Sequence, residues 1–153
     1  LDNRVKAVGV FVNEDIENIA YLVKNKIIDI VQLHGNEDES YINTLKTKIN
    51  VPIIHAYQIK SKADIKSAKN DTDFILLDAG AGCGETFDEA LLEDFDNEYF
   101  LAGGLSIDNI KEKIIKLHPF GVDVSSGIET EGKKDAAKIR KFVSLVREVN
   151  NDR

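Results

Sequence analysis

Six apolar runs rich in β-branched residues recur along the chain at a spacing of roughly 20 to 25 residues, the length of one strand–helix unit of a parallel α/β protein. They are VKAVGVFV (5–12), DIVQLH (29–34), PIIHAY (52–57), FILLD (74–78), YFLA (99–102) and GVDV (121–124). The segments between them carry apolar residues at helical spacing, as in Ile16, Ile19, Ala20, Val23 and again in Tyr41, Ile42, Leu45, Ile49. Further helical stretches follow at Ile65 and Ala68, at Ala90–Leu92, from Ile107 to Ile115, and from Ala137 to Val146. Asn13 or Asp15 is placed to cap the first helix, Glu37–Asp38 opens the second, and Ser106 precedes Ile107 as an N-cap. No linker or low-complexity stretch interrupts the six units, so residues 1–153 read as a single α/β domain.

Composition narrows the classes of function. A net charge of −7 argues against a general nucleic-acid surface. No apolar run approaches the length of a membrane span. The single cysteine, Cys83, forms no internal disulfide, and with three scattered histidines it shows no metal-ligand spacing. The expectation is a cytoplasmic protein without a metal site.

Two architectures accept six such units, an open doubly wound sheet or part of an eight-unit barrel. A full barrel spans about 200 to 250 residues, so length alone favours the open sheet. The strand ends reverse that preference. In parallel α/β folds chemistry sits where strands run out at their C-terminal ends. Those positions hold Asn13, Gln32, His34, His55, Gln58, Asp78, Gly103, Gly104, Asp123, Ser125 and Ser126. Side chains alternate along a strand, so Gln32 shares a face with His34, and Asp123 with Ser125.

Asp78 ends the fully apolar FILL and precedes the glycine-rich AGAGCG. A carboxyl group at an apolar mouth is desolvated, which suits a general acid. The other reading is an aspartate that opens a turn. His34, before Gly35, is either a site residue or a partner for a neighbouring carbonyl. His55 and His118 read as structural or surface groups, and nothing near Cys83 in sequence would activate it as a nucleophile.

YFLAGG (99–104) and GVDVSSG (121–127) each end an apolar run in glycines or serines ahead of a helical pattern. Glycines let backbone approach a ligand closely, and a pair of such turns on successive strands matches the phosphate site found after strands seven and eight of barrels. That match makes 99–102 and 121–124 strands seven and eight, and 5–12 strand three. The expected fold is therefore of the (βα)8 TIM-barrel family, with six βα units corresponding to strands 3–8. Leu1 is not expected to be a translated start, since the chain has no methionine, and strands one and two are expected to be absent from this chain.

GVFVN (9–13), VQLHG (31–35), LLD (76–78), GCGETFD (82–88), LAGGL (101–105), GVDVSSGIE (121–129) and GKKD (132–135) together resemble phosphoribosylanthranilate isomerase, in that family's order and over essentially the whole chain. Cys83 stands where the family commonly has serine or threonine. The resemblance implies an enzyme of tryptophan biosynthesis that rearranges N-(5-phosphoribosyl)anthranilate to 1-(2-carboxyphenylamino)-1-deoxyribulose 5-phosphate without metal or organic cofactor. It implies Asp78 as the catalytic general acid and Gln32, His34 and Asp123 as substrate-binding residues. Gly103, Gly104, Ser125 and Ser126 would bind the phosphate. The family's catalytic cysteine lies in a K-[IV]-C-G motif on strand one, and its anthranilate-binding arginine follows strand two; neither motif occurs in these 153 residues.

The expectation is thus little activity from this polypeptide alone, with exposed sheet edges that favour self-association or a complementing N-terminal segment. Two other functions fit the glycine turns: another phosphate-sugar barrel enzyme, which VQLHG and LLD argue against, and a non-catalytic phosphate-binding or assembly unit.

Overall fold

The computed structural model describes residues 5–68, 72–79, 89–92 and 95–151. In chain order these form β1 (Val8–Phe11), α1 (Ile16–Lys24), β2 (Ile30–Leu33), α2 (Glu39–Lys46), β3 (Ile53–Gln58), α3 (Lys62–Ser67) and β4 (Phe74–Asp78). A single 3-10 turn (Glu89–Leu91) precedes β5 (Tyr99–Ala102), α4 (Ile110–Leu117) and β6 (Gly121–Val122). A second 3-10 turn (Ser126–Ile128), a hairpin of β7 (Glu129–Thr130) and β8 (Lys133–Lys134), and α5 (Ala136–Asn151) complete the chain. The strand order is β1-β2-β3-β4-β5-β6, with β7-β8 apart. The chain divides into two compact units, residues 1–57 with 68–76, and residues 58–67 with 77–153.

In the first unit β1, β2 and β3 pair in parallel, Phe11 beside Leu33 and Leu33 beside His55. The strands form because their β-branched residues pack on one face against two amphipathic helices. Ile19 of α1 and Ile42 and Leu45 of α2 cluster with Val31, Leu33 and Ile53, and burial of each such side chain contributes roughly 1.5–3 kcal/mol. Asp15 caps α1 by accepting from Glu17 N at 2.7 Å, and Asp38 caps α2 by accepting from Tyr41 N at 2.8 Å, which chooses between the two candidates at the first helix.

That cluster fixes the two faces of the sheet. Val31, Leu33, Ile53 and, two residues on, His55 look toward the helices. Val8, Val10, Gln32 and Ile54 share the opposite face through the parallel register. His55 is buried, and its Nδ1 lies 2.9 Å from the Tyr57 hydroxyl. Of the structural and surface readings, burial excludes the surface one.

In the second unit β5 and β6 pair in parallel, Phe100 beside Gly121. Tyr99 faces α4, its hydroxyl donating to the Leu117 carbonyl at 2.8 Å, and desolvation pushes its pKa from the ordinary 10.0 up to about 12. Leu101, Ile110, Ile114, Phe142 and Leu145 are buried with it, and Lys111 reaches Glu148 across α4 and α5 at 2.6 Å.

Three expectations are corrected here. α4 begins at Ile110 rather than Ile107, because Ser106 caps only a turn, its Oγ accepting from Asp108 N at 3.2 Å. The Ala90–Leu92 stretch gives only the 3-10 turn at Glu89–Leu91. β6 stops at Val122, and Ser125 sits at φ −119°, ψ −83°, so the chain has left the sheet and the strand alternation no longer pairs Asp123 with Ser125. No helix among the described residues is long and apolar enough to cross a membrane.

Candidate active site

In the first unit Gln32 and His34 lie together on the face of β2 away from the helices. Gln32 is buried, and its Nε2 lies 3.1 Å from His34 Nδ1. His34 N also donates to the Phe11 carbonyl at 2.8 Å, which ties the end of β2 to the end of β1. The loops beyond these strands are closed by a residue that the motif reading missed. Glu37 is buried, and its two carboxylate oxygens accept from Asn13 N at 2.6 Å and Gly35 N at 2.8 Å. Asn13 sits at φ 51°, and its Oδ1 accepts from Asn36 N at 2.9 Å. A Cβ on Gly35 would lie 2.8 Å from Asn13 N, so only glycine allows the two loops to meet. A glutamate two residues past the strand-end glycine was the available signal.

In the second unit the ends of β4, β5 and β6 come side by side. Asp78 is half-buried at the end of β4; its carbonyl accepts from Ile59 N at 3.0 Å. The next residue, Ala79, donates to the Ala102 carbonyl at 2.9 Å, which sets Asp78 beside the Gly103–Gly104 turn. Asp123 N donates to the Leu101 carbonyl at 2.8 Å, so Asp123 follows directly on the β5–β6 ladder. Gly103 and Gly104 adopt φ of 89° and 63°, a left-handed path that glycine follows without strain.

The glycine turn and the serine turn abut. A Cβ on Gly127 would stand 1.8 Å from the Leu105 carbonyl oxygen, a contact that no side-chain movement relieves. Each turn is also strapped by a side chain. Asn109 Nδ2 donates to the Gly104 carbonyl at 2.9 Å while its Oδ1 accepts from Ser106 N at 2.9 Å. Lys134 Nζ donates to the carbonyl and the hydroxyl of Ser125, at 2.9 and 3.0 Å. Neither strap was read from sequence, because neither lies at a strand end.

The hairpin that carries Lys134 was also unforeseen. Its two-residue turn, Glu131 and Gly132 at φ 52° and 72°, has positive φ at both positions, the hairpin geometry favoured by strand twist. Asp135 closes it onto α5. The Thr130 hydroxyl, followed by the Lys138 and Ala137 amides, holds its carboxyl below the usual carboxylate range.

The described residues contain no cluster of three His, Cys, Asp or Glu arranged to hold a metal ion. A groove of about 1000 Å³ in the first unit, lined by Lys6, Lys24, Lys26, Lys48 and Val51 among others, contains none of the expected site residues. Two of its lysines are already paired, Lys6 with Asp29 and Lys48 with Glu17. Cys83 and the whole GCGETFD stretch (82–88) lie outside the described residues, as do Asn70 and Asp71.

The family model for N-(5'-phosphoribosyl)anthranilate isomerase matches residues 1–145. The chain belongs to the phosphoribosylanthranilate isomerase family. The enzyme of that name from Endomicrobium trichonymphae is 49% identical over 152 residues, covering 96% of this chain and 75% of the relative. The crystal structure of the Thermotoga maritima isomerase superposes with a TM-score of 0.83 at 34% identity, over 97% of this chain and 76% of that one. A phosphoribosyl anthranilate isomerase solved in complex with reduced 1-(o-carboxyphenylamino)-1-deoxyribulose 5-phosphate gives 0.81 at 35% identity, covering 97% and 74%. The expected barrel-family α/β fold is thereby borne out. So is the function by family, an isomerase of tryptophan biosynthesis acting on a small phosphorylated substrate.

Proposed function

We propose that, in the isomerisation of N-(5-phosphoribosyl)anthranilate, Asp78 is the general acid and the turns at Gly103–Gly104 and Ser125–Ser126 hold the substrate's phosphate. The observation that carries this reading is the abutment of the two turns at Gly127 and Leu105, with Asp78 one strand away. As the general acid, Asp78 gives a proton to the ribose ring oxygen as the ring C–O bond breaks, leaving a Schiff base. A base then takes the C2 proton to form an enolamine, which tautomerises to the ketone. The phosphate anchor fixes the sugar so that one proton donor reaches one oxygen, the positional advantage that raises rate without new chemistry. The family resemblance assigns Gln32, His34 and Asp123 to substrate binding, and in this reading no metal or organic cofactor takes part.

The base is the part these residues do not supply. The only cysteine is Cys83, and no K-[IV]-C-G motif is present. A polypeptide of these 153 residues alone is therefore expected to turn over little substrate. Val5, Val8, Val10 and Val12 are 54, 42, 58 and 64% exposed, an apolar stretch on and beside β1. That stretch supports self-association or the docking of a complementing N-terminal segment, in the cytoplasm.

The test is an isomerase assay on the purified chain with and without a peptide carrying strands one and two of the family. Activity is expected only with the peptide, and Asp78→Asn should then lower kcat by about 100-fold or more. Normal turnover by the chain alone, or an unchanged kcat in Asp78→Asn, overturns the respective assignment.

A further inference from the structure

Lys134 is not among the residues assigned to substrate above, yet its ammonium group is directed at one of them. Nζ donates to Ser125 O at 2.9 Å, to Ser125 Oγ at 3.0 Å and to Glu129 Oε1 at 2.6 Å. An ammonium carries three hydrogens, and these three oxygens take all of them. Lys134 thus has no hydrogen left for a ligand, and whatever it does for the site runs through Ser125.

The chemistry at Ser125 follows from the inventory of a hydroxyl, which donates one hydrogen and accepts through two lone pairs. A Ser125 Oγ that accepts from a cation keeps its own hydrogen for another partner, and the accepted bond polarises it toward giving that hydrogen away. The carbonyl contact fixes the backbone of the same residue where it has left the β6 strand. Ile128 N also reaches that carbonyl, at 3.4 Å. Lys134 itself is placed by the hairpin register, which sets it opposite Glu129, and by Lys138, whose Nζ donates to the Glu129 carbonyl at 2.6 Å.

We infer that Lys134 is a positioning residue that turns the Ser125 hydroxyl into a donor aimed at a phosphate monoester. The inference rests on the reading of the Ser125–Ser126 turn as part of the phosphate site.

The probe is inorganic phosphate, titrated into the folded chain and followed by amide NMR shifts. Lys134→Met is expected to weaken phosphate by about tenfold, the loss of one charge-assisted hydrogen bond. Lys134→Arg should restore most of the affinity, which a role in folding alone does not require. Ser125→Ala should weaken phosphate in the parent chain and add nothing in a Lys134→Met background, because the two act as one unit. Lys134→Gln carries the same expectation as Lys134→Met and is read where the methionine variant is unstable. Parental affinity in Lys134→Met or Lys134→Gln, or losses that multiply in the double variant, overturns the inference while leaving the phosphate site standing. A parent chain that binds no phosphate at these turns removes the phosphate reading itself, and the inference with it.

Discussion

The two units fix their strand-end loops by different hydrogen bonds. In the first, acceptors collect backbone N–H groups: the Glu37 carboxylate takes those of Asn13 and Gly35, and the Asn13 side chain takes that of Asn36. In the second, side-chain donors also collect carbonyls: Asn109 takes that of Gly104 while its Oδ1 takes the Ser106 N–H, and Lys134 takes the carbonyl of Ser125. A concavity of N–H groups binds anions. The first unit fills its own with a carboxylate carried by the protein. The second ties down the carbonyls of its glycine and serine turns, the arrangement that suits a phosphate arriving from outside.

The comparison can be broken most forcefully at Gly127. Gly127→Ala drives a Cβ into the Leu105 carbonyl, and parting the two turns should cost about 3 kcal/mol together with phosphate affinity. Chemical denaturation and phosphate titration of the variant check both. Glu37→Ala leaves the first unit's N–H groups without their carboxylate and should cost about 2 kcal/mol, with phosphate binding at the second unit's turns retained. Loss of phosphate binding in that variant would show that the two devices are not separate. Gly104→Ala meets no atom within 4 Å but must hold φ +63°, a strain of about 1 kcal/mol, so stability should fall less than in Gly127→Ala.

The smallest effect at neutral pH belongs to Tyr99. Its folded pKa is raised, so its contribution is fully present below about pH 10 and is lost as pH rises through about 12. A spectrophotometric phenol titration alongside alkaline unfolding checks this; ionisation of Tyr99 in the folded chain near its ordinary value would contradict it.

Much of this architecture was legible in the sequence because strands and helices announce themselves by period. FILLD and YFLA coincide with β4 and β5, and the i, i+2 spacing of Gln32 and His34 does place them together. Periodicity alone could not say which face met the helices. His55 and Tyr57 repeat the same spacing on β3, and only the register with Leu33 sends them to the helix side. The start of α4 was misread for a related reason. Ser106 is an acceptable N-cap by type, but Asn109 is engaged with Gly104 and Ser106, and the helix begins only after it.

The straps were the least legible part. Lys134 is nine residues from Ser125 in sequence, and only the hairpin turn at Glu131–Gly132 brings it back. A site made of main chain leaves few side-chain signals at its own positions; its specifying residues lie one layer away.

The most direct test of the account is a phosphate titration of the intact chain followed residue by residue through amide NMR shifts. Phosphate held by the second unit's turns should shift Gly103, Gly104, Ser126 and Gly127 in one saturable event while Gly35 and Asn13, already committed to Glu37, stay unmoved. Shifts confined to the groove around Lys24, Lys26 and Lys48, or shifts at Gly35 and Asn13 with none at Gly104 and Ser126, would contradict it.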